Sequence, residues 1–268
     1  MKKEQIFKRP IVSFVLLTNL IFIPLFLLTG LTMLLGLPQV IFDIMLCIAS
    51  WSSTFAFLIL FKKIYPEQNL TEYIKNKFKN KVNLKVVSCV IVLQILIFIA
   101  VAVIVKYGHT IEGSLLKISS IGVVVYFFFK NLFAGPLGEE LGWRGFVQEE
   151  LQKKYSPLRA AIIVGFFWAI WHTPIWFTTG FWGIDLVKYI LFFVISVIAI
   201  SIVMAAFYNL NRNLIIPIII HQLFNFFIGL INGNLLDLIG YCAILYGLLA
   251  VILIIINPKQ VLYSKNKL

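Results

Sequence analysis

Apolar residues run in long uninterrupted stretches from Ile11 to Ile256, broken by short groups of charged, glycine, proline and asparagine residues. The stretches near 11–35, 40–61, 86–105, 118–137, 158–178, 186–208, 214–231 and 235–256 predict eight helices, since a hydrocarbon core takes roughly 20 apolar residues to cross. The runs are continuous and do not alternate, so helices are expected in place of barrel strands. Gly36-Leu37-Pro38 and Asn232-Gly233-Asn234 predict tight turns between neighbours. The expected class is all-α and polytopic, with about eight transmembrane helices around a polar intramembrane chamber. No internal repeat and no second domain is visible, so residues 1–268 read as one integral membrane domain in the lipid bilayer.

Composition agrees. Of the 268 residues 61% are hydrophobic and 13% charged, which excludes a soluble globular protein. The basic balance of 23 Lys and Arg against 11 Asp and Glu sits between the apolar runs, where it sets topology and does not point to nucleic acid. With the N-terminus in the cytoplasm, Lys2, Lys3, Lys8, Arg9, the 62–85 loop, Arg144, Lys153, Lys154, Arg159, Arg212 and the lysines of 259–267 all fall inside, leaving Lys106, Lys117 and Lys188 outside. The expectation is a multi-pass protein of the cell membrane with both termini cytoplasmic and the first apolar run retained as a span. Leu70, Tyr73, Ile74 and Phe78 of the 62–85 loop fall at helical spacing, which predicts a helix along the inner membrane surface or a solvated basic loop. Cys47, Cys89 and Cys242 lie in apolar runs and read as small buried hydrophobes. The Asn69-Leu70-Thr71 sequon carries no weight.

Ionisable groups inside spans are costly and mark function by default. Glu139 and Glu140 are adjacent, about 100 degrees apart on a helix, whereas Glu140 and Arg144 are one turn apart. A structural Glu140–Arg144 pair is therefore expected, leaving Glu139 to face a cavity. His172 shares a face with Trp168 ahead of Pro174, with the tryptophans serving either as interfacial anchors or as substrate wall; His221 shares a face with Asn225, on a helix expected to kink at Pro217. His109 reads as an ordinary loop histidine. One free carboxylate, two histidines and an amide suit carboxylate-activated or metal-assisted hydrolysis, and equally a proton-coupled transporter. A scaffold that does no chemistry has no use for such costly buried groups.

Together, Glu139-Glu140-Leu-Gly-Trp-Arg144, Trp168-Ala-Ile-Trp-His172 and His221-Gln-Leu-Phe-Asn225 resemble the motifs of the CAAX prenyl protease and bacteriocin-processing (CPBP, or Abi) family of intramembrane metalloproteases. The resemblance covers about 120–228, with the first three spans contributing topology only. It implies an endopeptidase acting on a membrane-associated peptide or protein, the alternatives being an inactive immunity or scaffold protein or the transporter. Glu139 would activate water with help from His172, His221 and Asn225 would stabilise the oxyanion, and Glu140 and Arg144 would support them. It also implies zinc held by Glu139, His172 and His221, if a metal is bound. Trp168 stands where the family more often has phenylalanine. One tension follows from the predicted spans: Glu139 lies just past the inner end of the fourth, while His172 lies late, and so deep, in the fifth.

Overall fold

The computed structural model describes residues 9–108 and 114–263. His109, the lysines up to Lys8, and Lys265 and Lys267 lie outside the described residues. Among the described residues there are helices and no strand: α1 (Pro10–Leu34), α2 (Gln39–Ser50), α3 (Ser52–Ile64), α4 (Leu70–Lys77), α5 (Leu84–Gly108), α6 (Ile121–Phe133), α7 (Pro136–Gly142), a π-helix (Trp143–Gln148), α8 (Glu149–Gln152), α9 (Pro157–Trp171), α10 (Thr173–Trp176), α11 (Gly183–Asn211), α12 (Ile215–Leu230) and α13 (Leu235–Ile256). Among the described residues six stretches are long and apolar enough to cross a membrane: Pro10–Leu34, Gln39–Ile64, Leu84–Gly108, Ile121–Gln152, Gly183–Asn211 and Leu235–Ile256. The apolar helices α9 and α12 are shorter, at 15 and 16 residues. The protein is an all-α, multi-pass membrane protein.

The bundle is built around α11, which packs between α9 and α13. Water drives no burial within lipid, so such helices associate through close packing and hydrogen bonds between helices. Both are present. A Cβ on Gly165 of α9 would stand 2.8 Å from Ile198 Cα, so this glycine lets α9 and α11 touch backbone to backbone. The Ser201 hydroxyl donates to the Ala161 carbonyl at 2.9 Å and that of Ser196 to Ile239 at 3.3 Å. Leu20, Leu96, Ile121 and Ile255 are instead exposed, as expected of side chains facing lipid. Cys89 faces outward too and Cys47 is half-buried, so Cys242 is the cysteine that fits the expectation of burial.

The fourth run departs from the sequence expectation. It does not end at 137: after a break at Ala134-Gly135 the chain continues as α7, the π-helix and α8 to Gln152, carrying Glu139, Glu140 and Arg144 into the protein interior. Charged residues mark a membrane boundary only when they face water, and these face one another. The 62–85 loop also finds a third course. It docks on the protein, with Asn69 capping α4 by accepting from Glu72 N at 3.1 Å and Tyr73 donating to the Gly145 carbonyl at 2.8 Å. Lys77 pairs with Glu149, and Tyr65 donates to Glu150. Asn213 and Asn211 hold the carbonyls of Phe78, Asn80 and Lys81.

Pro217 does not kink α12. It is the third residue of that helix, in the first turn, where backbone N–H groups lack intrahelical partners in any case.

Candidate active site

A cavity of about 230 Å³ lies inside the bundle, lined by Glu139, Trp168, His172, His221 and Asn225 together with Phe22, Leu46, Ser50, Ala134, Trp171, Ile175, Phe193, Val197 and Phe224. Phe22 comes from α1 and Leu46 and Ser50 from α2. The early spans therefore build part of the chamber wall and supply more than the topology expected of them.

Glu139 and Glu140 point apart. Glu140 and Arg144 are both fully buried, with Arg144 Nη1 donating to Glu140 Oε1 at 3.1 Å. His221 Nδ1 meets the same oxygen at 2.8 Å. Glu139 Oε2 accepts a 2.7 Å hydrogen bond from the Trp168 indole Nε1, leaving Oε1 beside Gly135. Gly135 is needed there: a Cβ at that position would stand 3.1 Å from Asn225 Nδ2 and 3.8 Å from Glu139 Oε1.

Trp168 joins the set. Its indole binds Glu139, its face stacks on the Arg144 guanidinium at 4.0 Å, and its edge meets the His221 ring at 4.9 Å. Its peptide carbonyl is 2.7 Å from His172 Nδ1. A carbonyl can only accept, so this nitrogen of His172 carries the proton and Nε2 holds a lone pair. Trp168 and Trp171 are buried and line the chamber, so neither is an interfacial anchor. The tension over depth disappears as well. His172 caps the end of α9, while Glu139 sits midway along 121–152, and both reach one cavity.

α7 is held against α3 by small residues. A Cβ on Gly138 would fall 2.4 Å from Trp51 Cδ1, and one on Gly142 would fall 2.9 Å from the Ser53 carbonyl oxygen. The Ser53 hydroxyl in turn donates to the carbonyls of Gly138 and Glu139 at 3.2 and 3.3 Å.

Glu139, His172 and His221 line the cavity, but among the described residues no three His, Cys, Asp or Glu side chains are gathered closely enough to form a ready metal cluster. The ligand set implied for zinc is thus not preassembled: His221 Nδ1 is engaged by Glu140, His172 Nδ1 by a carbonyl, and one Glu139 oxygen by Trp168.

Sequence reasoning missed two further intramembrane charges. Asp43 of α2 and Lys130 of α6 form an ion pair of 2.6 Å, to which Tyr126 adds a hydrogen bond. Their signal was plain, one charge in each of two apolar runs, and the partner was the other charge.

A family model described as type II CAAX prenyl endopeptidase Rce1-like matches residues 121–227. CAAX prenyl protease 2 of Methanococcus maripaludis is 29% identical over 178 residues, covering 62% of this chain and 65% of that protein. The chain thus spans just under two thirds of the length of this curated relative. Both comparisons bear out the resemblance that the three motifs carry: over residues 121–227 the chain is similar to the type II CAAX prenyl endopeptidases.

Proposed function

We propose that this protein is an intramembrane endopeptidase that hydrolyses a peptide bond in a membrane-associated peptide or protein. The observation that carries the reading is the convergence of Glu139, His172, His221 and Asn225 on one buried cavity, with Glu139 held by the Trp168 indole and one ring nitrogen of each histidine already engaged.

In this reading a water molecule sits between Glu139 Oε1 and His172 Nε2. Glu139 removes one proton as the water oxygen attacks the scissile carbonyl carbon, while the lone pair of His172 accepts the other O–H and aims the attack. The carbonyl π pair moves to oxygen, and the oxyanion is met by the Asn225 amide and by the His221 ring, whose Nδ1 is held 2.8 Å from Glu140 Oε1. Collapse of the tetrahedral intermediate breaks the C–N bond, and the proton held by Glu139 passes to the leaving amine. A carboxylic acid and an amine result.

The name of the archaeal relative supports a CAAX-type substrate, a prenylated C-terminal peptide. The apolar wall of Phe22, Ile175, Phe193 and Phe224 suits a lipid-bearing substrate. For orientation, the reading places both termini in the cytoplasm. Its support is that the 62–85 loop, Glu149, Glu150 and Asn211–Asn213 meet at one end of the bundle, whereas Leu115, Lys117, Leu230 and Asn232 join at the other. The basic residues concentrate at the first.

The test is the wild-type chain in liposomes with a fluorogenic farnesylated peptide, its unprenylated counterpart and a library of membrane peptides, with and without a strong zinc chelator. Cleavage is expected. Cleavage that survives the chelator supports water activation by Glu139 and His172; cleavage abolished by it and restored by added zinc makes Glu139, His172 and His221 ligands. Absence of any cleavage by folded protein overturns the peptidase reading in favour of a scaffold or a transporter.

A further inference from the structure

Seven buried polar atoms on a single stripe have no partner among the protein's own atoms: Glu140 Oε2, Arg144 Nε and Nη2, and both amide ends of Gln148 and Gln152. The four residues recur at every fourth position, which stacks them along one side of α7, the π-helix and α8. None is more than 2% exposed. The stripe starts at the carboxylate that holds His221 and ends one residue before Lys153, whose side chain is exposed.

The neighbours of the two glutamines are fully engaged. Glu149 binds Lys77 and Tyr208, and Glu150 binds Tyr65 and Lys153. Partners were thus available at this end of the bundle, yet both amides turn inward without them. Buried polar groups left unbonded are costly, and a membrane protein keeps such groups where water reaches them. The π-helix itself is a rare form found mainly at functional sites.

We infer that Glu140, Arg144, Gln148 and Gln152 hold a file of ordered water linking the chamber to the end of the bundle that carries Lys153. The ligand class is water, and Gln148 and Gln152 are the residues that bind it outside the chamber. The need for the file rests on the peptidase reading. A substrate seated against Phe22, Ile175, Phe193 and Phe224 covers the apolar side of the chamber, so the water consumed in each turnover must enter by another route.

The test uses the full chain in liposomes, with Cys47, Cys89 and Cys242 replaced by alanine and one cysteine introduced at a time: Gln148→Cys, Gln152→Cys, and the buried apolar controls Val147→Cys and Leu151→Cys. Silver ions travel through narrow water-filled paths, and blocked thiols are counted by maleimide labelling after denaturation. Reaction at 148 and 152 roughly tenfold or more faster than at 147 and 151 is the expected result, because thiol reactivity follows access. Equal rates overturn the inference. Should a cysteine variant fail to fold, X-ray radiolysis of the wild type decides: bound water there oxidises the fully buried Arg144 side chain, which stands on the stripe itself, whereas a dry stripe leaves it unlabelled. Neither readout requires turnover. An inactive wild type with fast thiols at 148 and 152 refutes the peptidase reading alone, and an active wild type with equal rates refutes the water file alone.

Discussion

The indole nitrogen of Trp168 donates a 2.7 Å hydrogen bond to one oxygen of the Glu139 carboxylate, which leaves the other oxygen for the water of the proposed mechanism. Trp168→Phe keeps an aromatic ring against Arg144 and removes the donor. A hydrogen bond to a charged group contributes about 1.5–3 kcal/mol, so kcat/KM is expected to fall roughly 10- to 150-fold. Steady-state kinetics on the farnesylated peptide measures this, and a change under twofold would show that the bond does not position Glu139.

Glu140 is a different carboxylate with a different task. Glu140→Gln leaves the fully buried Arg144 without its charge partner, and breaking such a pair costs about 3–5 kcal/mol. Thermal unfolding in detergent should therefore drop steeply in this variant, while Glu139→Gln unfolds near wild type. Replacing both Glu140 and Arg144 by methionine is expected to recover much of the stability and none of the activity. If Glu140→Gln melts like wild type, the pair is not structural.

Much of the fold was written in the apolar runs, because lipid forces each run to satisfy its own backbone and so to become a helix. The pairing of Trp168 with His172 and of His221 with Asn225 was legible too, since four-residue spacing fixes which side chains share a face; that both pairs and Glu139 line one cavity is seen in the fold. What could not be read was depth. In a membrane protein a charge signals the end of a span unless another buried charge answers it, and Arg144 and His221 answer Glu140 from 4 and 81 positions away in the chain. The Arg144 half of that answer is read from the spacing, but nothing in the local pattern of 136–152 shows His221. The docking of the 62–85 loop was hidden for a similar reason, as Tyr73, Lys77 and the asparagines at 211 and 213 meet only after folding.

That docking gives alkaline pH a specific effect. Burial is the main cause that holds the Tyr65 and Tyr73 phenols well above their ordinary range, helped by the nearby carboxylates Glu150 and Glu149. The folded protein therefore keeps these protons more tightly than the unfolded chain does. Their contribution to stability is complete below about pH 10 and is lost as pH rises beyond it, where the unfolded phenols ionise. Melting temperatures measured from pH 8 to 11 should fall at the alkaline end, and fall less in the Tyr65→Phe, Tyr73→Phe double variant. Equal slopes would contradict the docking.

Gly138 admits no side chain while Trp51 lies across it at 2.4 Å from a would-be Cβ. Gly138→Ala is expected to cost about 1–3 kcal/mol through overpacking. In a Trp51→Leu background the same substitution should cost markedly less, since contacting residues are energetically coupled. A double-mutant cycle on unfolding free energy checks this, and strict additivity would refute the contact.

The central claim is that Glu139 is the base of a peptide hydrolysis carried out inside the membrane. Its most direct measurement is single-turnover cleavage of a farnesylated or membrane peptide by purified, liposome-embedded Glu139→Gln beside wild type, with folding of both confirmed by thermal unfolding. The account predicts cleavage by wild type and a loss of at least roughly a thousandfold in the variant, at the upper range for removing a general base. Cleavage by Glu139→Gln at a rate near that of wild type would contradict it.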